Sequence, residues 1–177
     1  IYCAMNSGTL STFFLFKNSG TTDAVRWNEI DFEVFGKDSA YNWQSNVIWQ
    51  DNPAGGLSMA EGHHNSSFST AEGWHTYTIE WSPEKIIWKV DDEVAREFTD
   101  PAHSILVGPM KIMLNLWAHN TESWAGWFDT ASLPVYQYID WISYTPWSGS
   151  GHTFDSEPSF FEDFETLDNW NRSTHTW

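Results

Sequence analysis

Between residues 76 and 98 three short β-rich runs follow one another with only turn signals between them. Thr76-Tyr77-Thr78-Ile79-Glu80-Trp81 alternates, and Ile86-Ile87-Trp88-Lys89-Val90 is a β-rich run after Ser82-Pro83-Glu84-Lys85. Asp91-Asp92 then marks a tight turn into Glu93-Val94-Ala95-Arg96-Glu97-Phe98, so the segment reads as consecutive hairpins. The same texture extends over most of the chain. Residues 111–117 form a further strand after Gly108-Pro109, residues 136–144 alternate cleanly, and no long helix is legible. Short strands at this spacing predict an all-β chain built as a β-sandwich.

At 177 residues the chain can bury the core of one domain. No apolar run reaches the length of a membrane span, and no signal peptide is visible at Ile1. The net charge of −16 lacks the electrostatic footprint of a nucleic-acid binder. It also repels sulfated or uronate polymers, which leaves neutral partners. Cys3 stands alone, so no internal disulfide and no cysteine-containing metal motif can form. Thirteen tryptophans suit a mixture of core packing and carbohydrate binding, since flat apolar rings fill a β-sandwich core and also stack on sugar C–H faces.

Trp27-Asn28-Glu29-Ile30-Asp31-Phe32-Glu33-Val34-Phe35-Gly36 carries the most chemistry. On a strand Glu29, Asp31 and Glu33 share one face, while Ile30, Phe32 and Val34 point into a core. Three adjacent acids repel one another and weaken a structural strand. A catalytic site accepts that cost, because crowding drives carboxylate pKa values apart and leaves one group protonated beside an ionised one. Retaining glycosidases need two carboxyl groups about 5–5.5 Å apart, which two same-face glutamates leaning together can approach.

Glu29-Ile30-Asp31-Phe32-Glu33 resembles the E-[ILV]-D-x-E signature of glycoside hydrolase family 16. Trp74-His75-Thr76-Tyr77, Glu80-Trp81, Trp88-Lys89-Val90-Asp91 and Asn115-Leu116-Trp117 follow in that family's order. The resemblance covers nearly all of residues 8–177. It implies a concanavalin-like jelly-roll sandwich, with Glu29 as nucleophile, Glu33 as acid/base and Asp31 assisting. The uninterrupted motif resembles lichenases, which cut mixed-linkage β-1,3-1,4-glucan, and xyloglucan transglycosylases; many laminarinases insert one residue. Asn115-Leu116-Trp117, residues 122–126 and Phe128-Asp129 are closer to the lichenases.

By the same resemblance Phe14, Phe16, Asn18, Trp27, Gln44, Asn46, Trp117, Trp124 and, more loosely, Trp177 line a glucan cleft. Trp81, Trp88 and Trp141 are assigned to the core. His63-His64 is assigned to a loop, because adjacent extended residues point apart and no third ligand is spaced for zinc. No cofactor is required; the family allows a structural calcium whose place the sequence does not locate. A secreted monomer is expected.

Residues 1–147 are read as the main part of the sandwich and 148–153, with Ser148-Gly149-Ser150-Gly151, as a linker. Residues 154–177 are too few for a domain and too aromatic to stay in water. Phe161-Glu162-Asp163-Phe164 with the following residues to Trp170 resembles the opening of ordinary lichenases. Its place after the last strand is the order of a circularly permuted lichenase, and the missing strands imply a fragment. The rival readings are a xyloglucan transglycosylase, a β-1,3-glucanase of the same family and a non-catalytic carbohydrate-binding module, which has no use for three aligned acids.

Overall fold

The computed structural model describes residues 1–18, 27–50, 55–100, 106 and 108–165. Its strands are β1 (Thr9–Asn18), β2 (Trp27–Phe35), β3 (Asn42–Trp49), β4 (Ser58–Asn65), β5 (Tyr77–Trp81), β6 (Ile86–Val90), β7 (Glu93–Phe98), β8 (Lys111–Ala118), β9 (Ile142–Tyr144) and β10 (Phe160–Glu162). Helix among the described residues amounts to single 3-10 turns such as Asp38–Ala40 and Thr130–Ser132. No helix there is long and apolar enough to cross a membrane.

A five-stranded antiparallel sheet runs in the order β4-β3-β2-β1-β8. A three-stranded sheet, β5-β6-β7, packs against it. The core lies between them and takes the inward residues of both: Ile30, Phe32 and Val34 of β2, Trp43 and Val47 of β3, Ile86, Trp88 and Val90 of β6. Each large apolar side chain buried there contributes about 1.5–3 kcal/mol. Turn chemistry fixes the second sheet. Asp91 and Asp92 take φ of 51° and 68°, the two positive values of a type I′ turn, and Val90 pairs directly with Glu93 across it.

Arg96 of β7 fastens the two sheets together. Its guanidinium donates to the Ser45 and Ala60 carbonyls and the Ser45 hydroxyl at 2.9–3.2 Å, and packs over the Trp88 and Phe98 rings. Gly62 leaves the space this needs, since a Cβ there would stand 2.9 Å from Ser45 Oγ and 3.0 Å from Arg96 Nη1.

Several local expectations change. His63 and His64 lie in β4, not in a loop. His64 stacks on Trp43 and bonds Ser45 Oγ at 2.8 Å; burial, Arg96 and His63 push its pKa down to about 4, so it stays neutral. The alternating run 136–144 is a strand only over β9. Before it the chain runs along the surface with a single bridge, Tyr138 to Tyr2, because no other strand lies beside it to complete a ladder among the described residues. Trp88 is fully buried, as assigned, and Trp81 packs partly buried on the core; Trp141 is 42% exposed and stacks on Phe161 instead.

Residues 148–151, glycine- and serine-rich, are exposed or half-buried and form a closed turn. Trp147 Nε1 donates to the Gly151 carbonyl and the Ser148 amide to that of Thr153. His152 then docks the turn on the three-stranded sheet through Ser82 and Glu80. Farther on, β10 pairs with β9. Residues 166–177, with Trp170 and Trp177, lie outside the described residues.

Candidate active site

Strand alternation divides β2 cleanly. Asn28, Ile30, Phe32 and Val34 are buried, and Glu29, Asp31 and Glu33 emerge on the opposite face. The register on both sides is regular, without a bulge. Phe16, Phe14 and Thr12 of β1 stand opposite Glu29, Asp31 and Glu33, and Ile48, Asn46 and Gln44 of β3 flank them on the other side. A cavity of about 370 Å³ opens above the three acids. Trp117 of β8 and Trp124 of the following loop wall it at one end.

The carboxylates sit in different environments. Asp31 is 5% exposed; burial first, then the charges of Glu29 and Glu33, hold its pKa well above the usual carboxylate range. Its protonated form is thereby favoured, and it hydrogen-bonds Glu29. Glu29 is also pushed up by burial, but it accepts from Asp31 and, at 2.7 Å, from the indole N–H of Trp27, both of which favour its anion. Glu33 is raised from 4.5 to about 7 by burial and then by the charges of Glu29 and Glu61. Gln44 Nε2 donates to Glu33 Oε2 at 3.1 Å. At near-neutral pH the strand thus offers one hydrogen-bonded carboxylate and one carboxyl group near its titration midpoint, the pairing needed for a nucleophile beside a proton donor.

Most of the sequence-assigned cleft residues meet here. Phe14, Gln44, Asn46, Trp117 and Trp124 line the cavity. Phe16 packs edge-on against Trp27 at 5.1 Å, at the Glu29 end of the row. Asn46 Oδ1 is buried and bonds no protein group, which leaves it free to accept from a ligand hydroxyl. Asn18 ends β1 opposite Trp27, and its side chain lies outside the described residues, as does the whole of Trp177. Sequence reasoning missed Thr12, Met59 and Glu61, all lining the cavity. The alternation Met59, Glu61, His63 within β4 held the signal, but it is readable only once β4 is known to pair with β3. Among the described residues no group of three or more His, Cys, Asp or Glu side chains is placed to hold a metal ion.

An antiparallel sandwich whose open face sets three graded carboxylates among aromatic rings is the build of a β-sandwich glycoside hydrolase. Residues 1–143 match the family model "Glycosyl hydrolases family 16", and the chain belongs to that family. It is 35% identical over 179 residues to a β-glucanase of Fibrobacter succinogenes, covering 98% of this chain and 50% of that protein. A Brevibacillus brevis β-glucanase is 35% identical over 143 residues, covering 78% of this chain and 51% of that protein. The solved structure of a prokaryotic β-1,3-1,4-glucanase (lichenase) from a mouse hindgut metagenome superposes with a TM-score of 0.55 at 33% identity, covering 71% of this chain and 54% of that one. The jelly-roll sandwich expected from the sequence is thereby shown. The chain spans about half the length of the curated relatives it matches.

Proposed function

We propose that the cleft hydrolyses mixed-linkage β-1,3-1,4-glucan with retention of configuration. The observation that carries this reading is the graded row on β2: a hydrogen-bonded Glu29, a proton-holding Asp31, and a Glu33 whose pKa lies near 7. Glu29 attacks the anomeric carbon while Glu33 passes its proton to the leaving oxygen; Glu33, now ionised, then takes a proton from the water that releases the sugar. Asp31 steadies the Glu29 anion and adds no charge of its own. Mixed-linkage specificity is supported by the bulge-free spacing of the motif and by likeness to a lichenase. Trp117 and Trp124 supply stacking surface for a neutral polymer, in keeping with a net charge of −16.

We further propose that residues 154–177 belong to the same sandwich, in permuted order. The alignment with the Fibrobacter protein runs on over 98% of the chain, whereas that with the Brevibacillus protein covers 78%. Secretion and a monomeric state accompany the reading. A product profile on lichenan, laminarin, carboxymethylcellulose and xyloglucan tests it. Release of oligosaccharides from lichenan, with the β-anomer appearing first by proton NMR, is the expected result. First appearance of the α-anomer defeats retention; transfer products on xyloglucan identify a transglycosylase; binding without release identifies a carbohydrate-binding module.

A further inference from the structure

Trp124 lies 80 positions from Gln44 in the chain, yet its indole N–H donates to Gln44 Oε1 at 3.1 Å. Gln44 in turn donates from Nε2 to Glu33 Oε2 at 3.1 Å. An indole nitrogen is a donor only, so it can face the oxygen end of an amide and never the nitrogen end. If the Gln44 amide turned over, its NH₂ would meet the indole N–H, a donor against a donor, and its oxygen would repel the Glu33 carboxylate whenever Glu33 is ionised. Gln44 is 2% exposed and has no water shell to relieve either contact.

The indole is itself held. Phe35, two residues beyond Glu33 on the same strand face, stands edge-on to it at 5.6 Å, and His119 does the same at 5.0 Å. Its loop is closed by the amides of Trp124, Ala125 and Gly126, which all donate to the Thr121 carbonyl at 3.0–3.1 Å.

We infer that Trp124 is a positioning residue for Glu33: its N–H fixes the orientation of the Gln44 amide, and the amide anchors one oxygen of the acid/base. The inference rests on the role proposed above for Glu33. Oε2 is occupied by Gln44, so the acid's proton resides on Oε1, the oxygen left to face the glycosidic bond. When Glu33 later acts as a base, the same N–H stabilises its anion. This role is separate from stacking on sugar. A stacking ring needs only its face, whereas the relay needs the indole nitrogen.

Trp124→Phe keeps an aromatic face and removes the N–H. With glutamate side-chain carboxyl carbons labelled with ¹³C, Glu33 is titrated directly by NMR in the intact, substrate-free chain, its signal assigned by its loss in Glu33→Gln. The relay requires the Glu33 midpoint to rise in Trp124→Phe by about half to one pH unit, the worth of one lost hydrogen bond to a carboxylate. Gln44→Met raises it by a similar amount, and the double variant adds no further shift. The basic limb of the kcat/KM profile on lichenan moves with it. An unmoved midpoint in Trp124→Phe, with only KM raised, overturns the relay and leaves Trp124 a stacking platform. If Trp124→Phe does not fold, Gln44→Met carries the same test, and an unmoved Glu33 there overturns the relay equally. The titration needs no turnover, so a chain that releases no sugar defeats the proposed function without deciding the relay.

Discussion

The indole N–H of Trp27 donates to Glu29 Oε2 at 2.7 Å, from two residues earlier on the same strand face. The bond favours the Glu29 anion, the proposed nucleophile, against the burial that opposes it. Trp27→Phe keeps the ring packed on Phe16 and deletes the donor. A hydrogen bond to a charged group contributes about 1.5–3 kcal/mol, so kcat/KM should fall roughly ten- to a hundredfold near pH 6. The acid limb should move to higher pH, because Glu29 then ionises later. An unchanged acid limb on lichenan argues against Glu29 as the group that must be ionised.

In the proposed mechanism Glu33 sets the other limb. Its proton would be needed for glycosylation, so kcat/KM should drop as pH rises through about 7. The same shift appears in stability. The folded pKa is above the unfolded carboxylate value, so its stabilising contribution is fully present below about 4.5 and is lost as pH rises through about 7. Glu33→Gln removes that loss. At pH 8 it should raise stability by about 1–2 kcal/mol, discounted for partial exposure, or a few degrees in Tm, and at pH 4 it should do nothing. Calorimetry at the two pH values checks the sign; a variant less stable at pH 8 contradicts it.

Azide separates the two glutamates chemically. With an activated aryl glycoside, Glu29→Ala should be rescued by azide to give the α-glycosyl azide, since the anion takes the nucleophile's place. Glu33→Ala retains Glu29 and should give the β-azide from the covalent intermediate. Product configuration by NMR distinguishes them, and the reverse pattern exchanges the two roles.

His152 fastens the turn after β9 to the three-stranded sheet. Nδ1 bonds Ser82 Oγ at 2.8 Å and Nε2 bonds Glu80 at 3.0 Å, while Lys89 holds the other oxygen of Glu80. His152→Ala should cost about 1–2 kcal/mol. Tm should fall by several degrees and proteolysis beyond residue 147 should quicken, with KM for lichenan little changed. If protease removes the segment from the parent protein while Tm and activity stay constant, the segment is an appendage and the permuted reading fails.

What could be read from residues alone was what neighbouring residues write together. The alternation through β2 assigned Glu29, Asp31 and Glu33 to one face and Ile30, Phe32 and Val34 to the other. Asp91-Asp92 announced its hairpin, because two positive φ values at a two-residue loop are a local demand. Alternation failed at 136–144, where a strand-like pattern meets only the bridge from Tyr2 to Tyr138, and at Trp141, whose ring found an exposed partner in Phe161. It was equally silent on the fact that β1 lies between β2 and β8, so that Phe14 from one strand and Trp117 from another face the same cavity.

Only the tertiary structure decided the features that depend on such pairings. Glu61 reaches Glu33 because β4 pairs with β3, Arg96 reaches Ser45 because two sheets close on one core, and Trp124 reaches Gln44 across 80 positions of chain. A strand's period fixes which side chains share its face, and that information is contained in a handful of residues. Which strand lies beside it is settled by the burial of the whole core at once, a sum over distant residues that no local window holds. The three acids were therefore legible as a row, while the differences in their protonation, on which the proposed roles of nucleophile, support and acid depend, came from neighbours that folding brought to them.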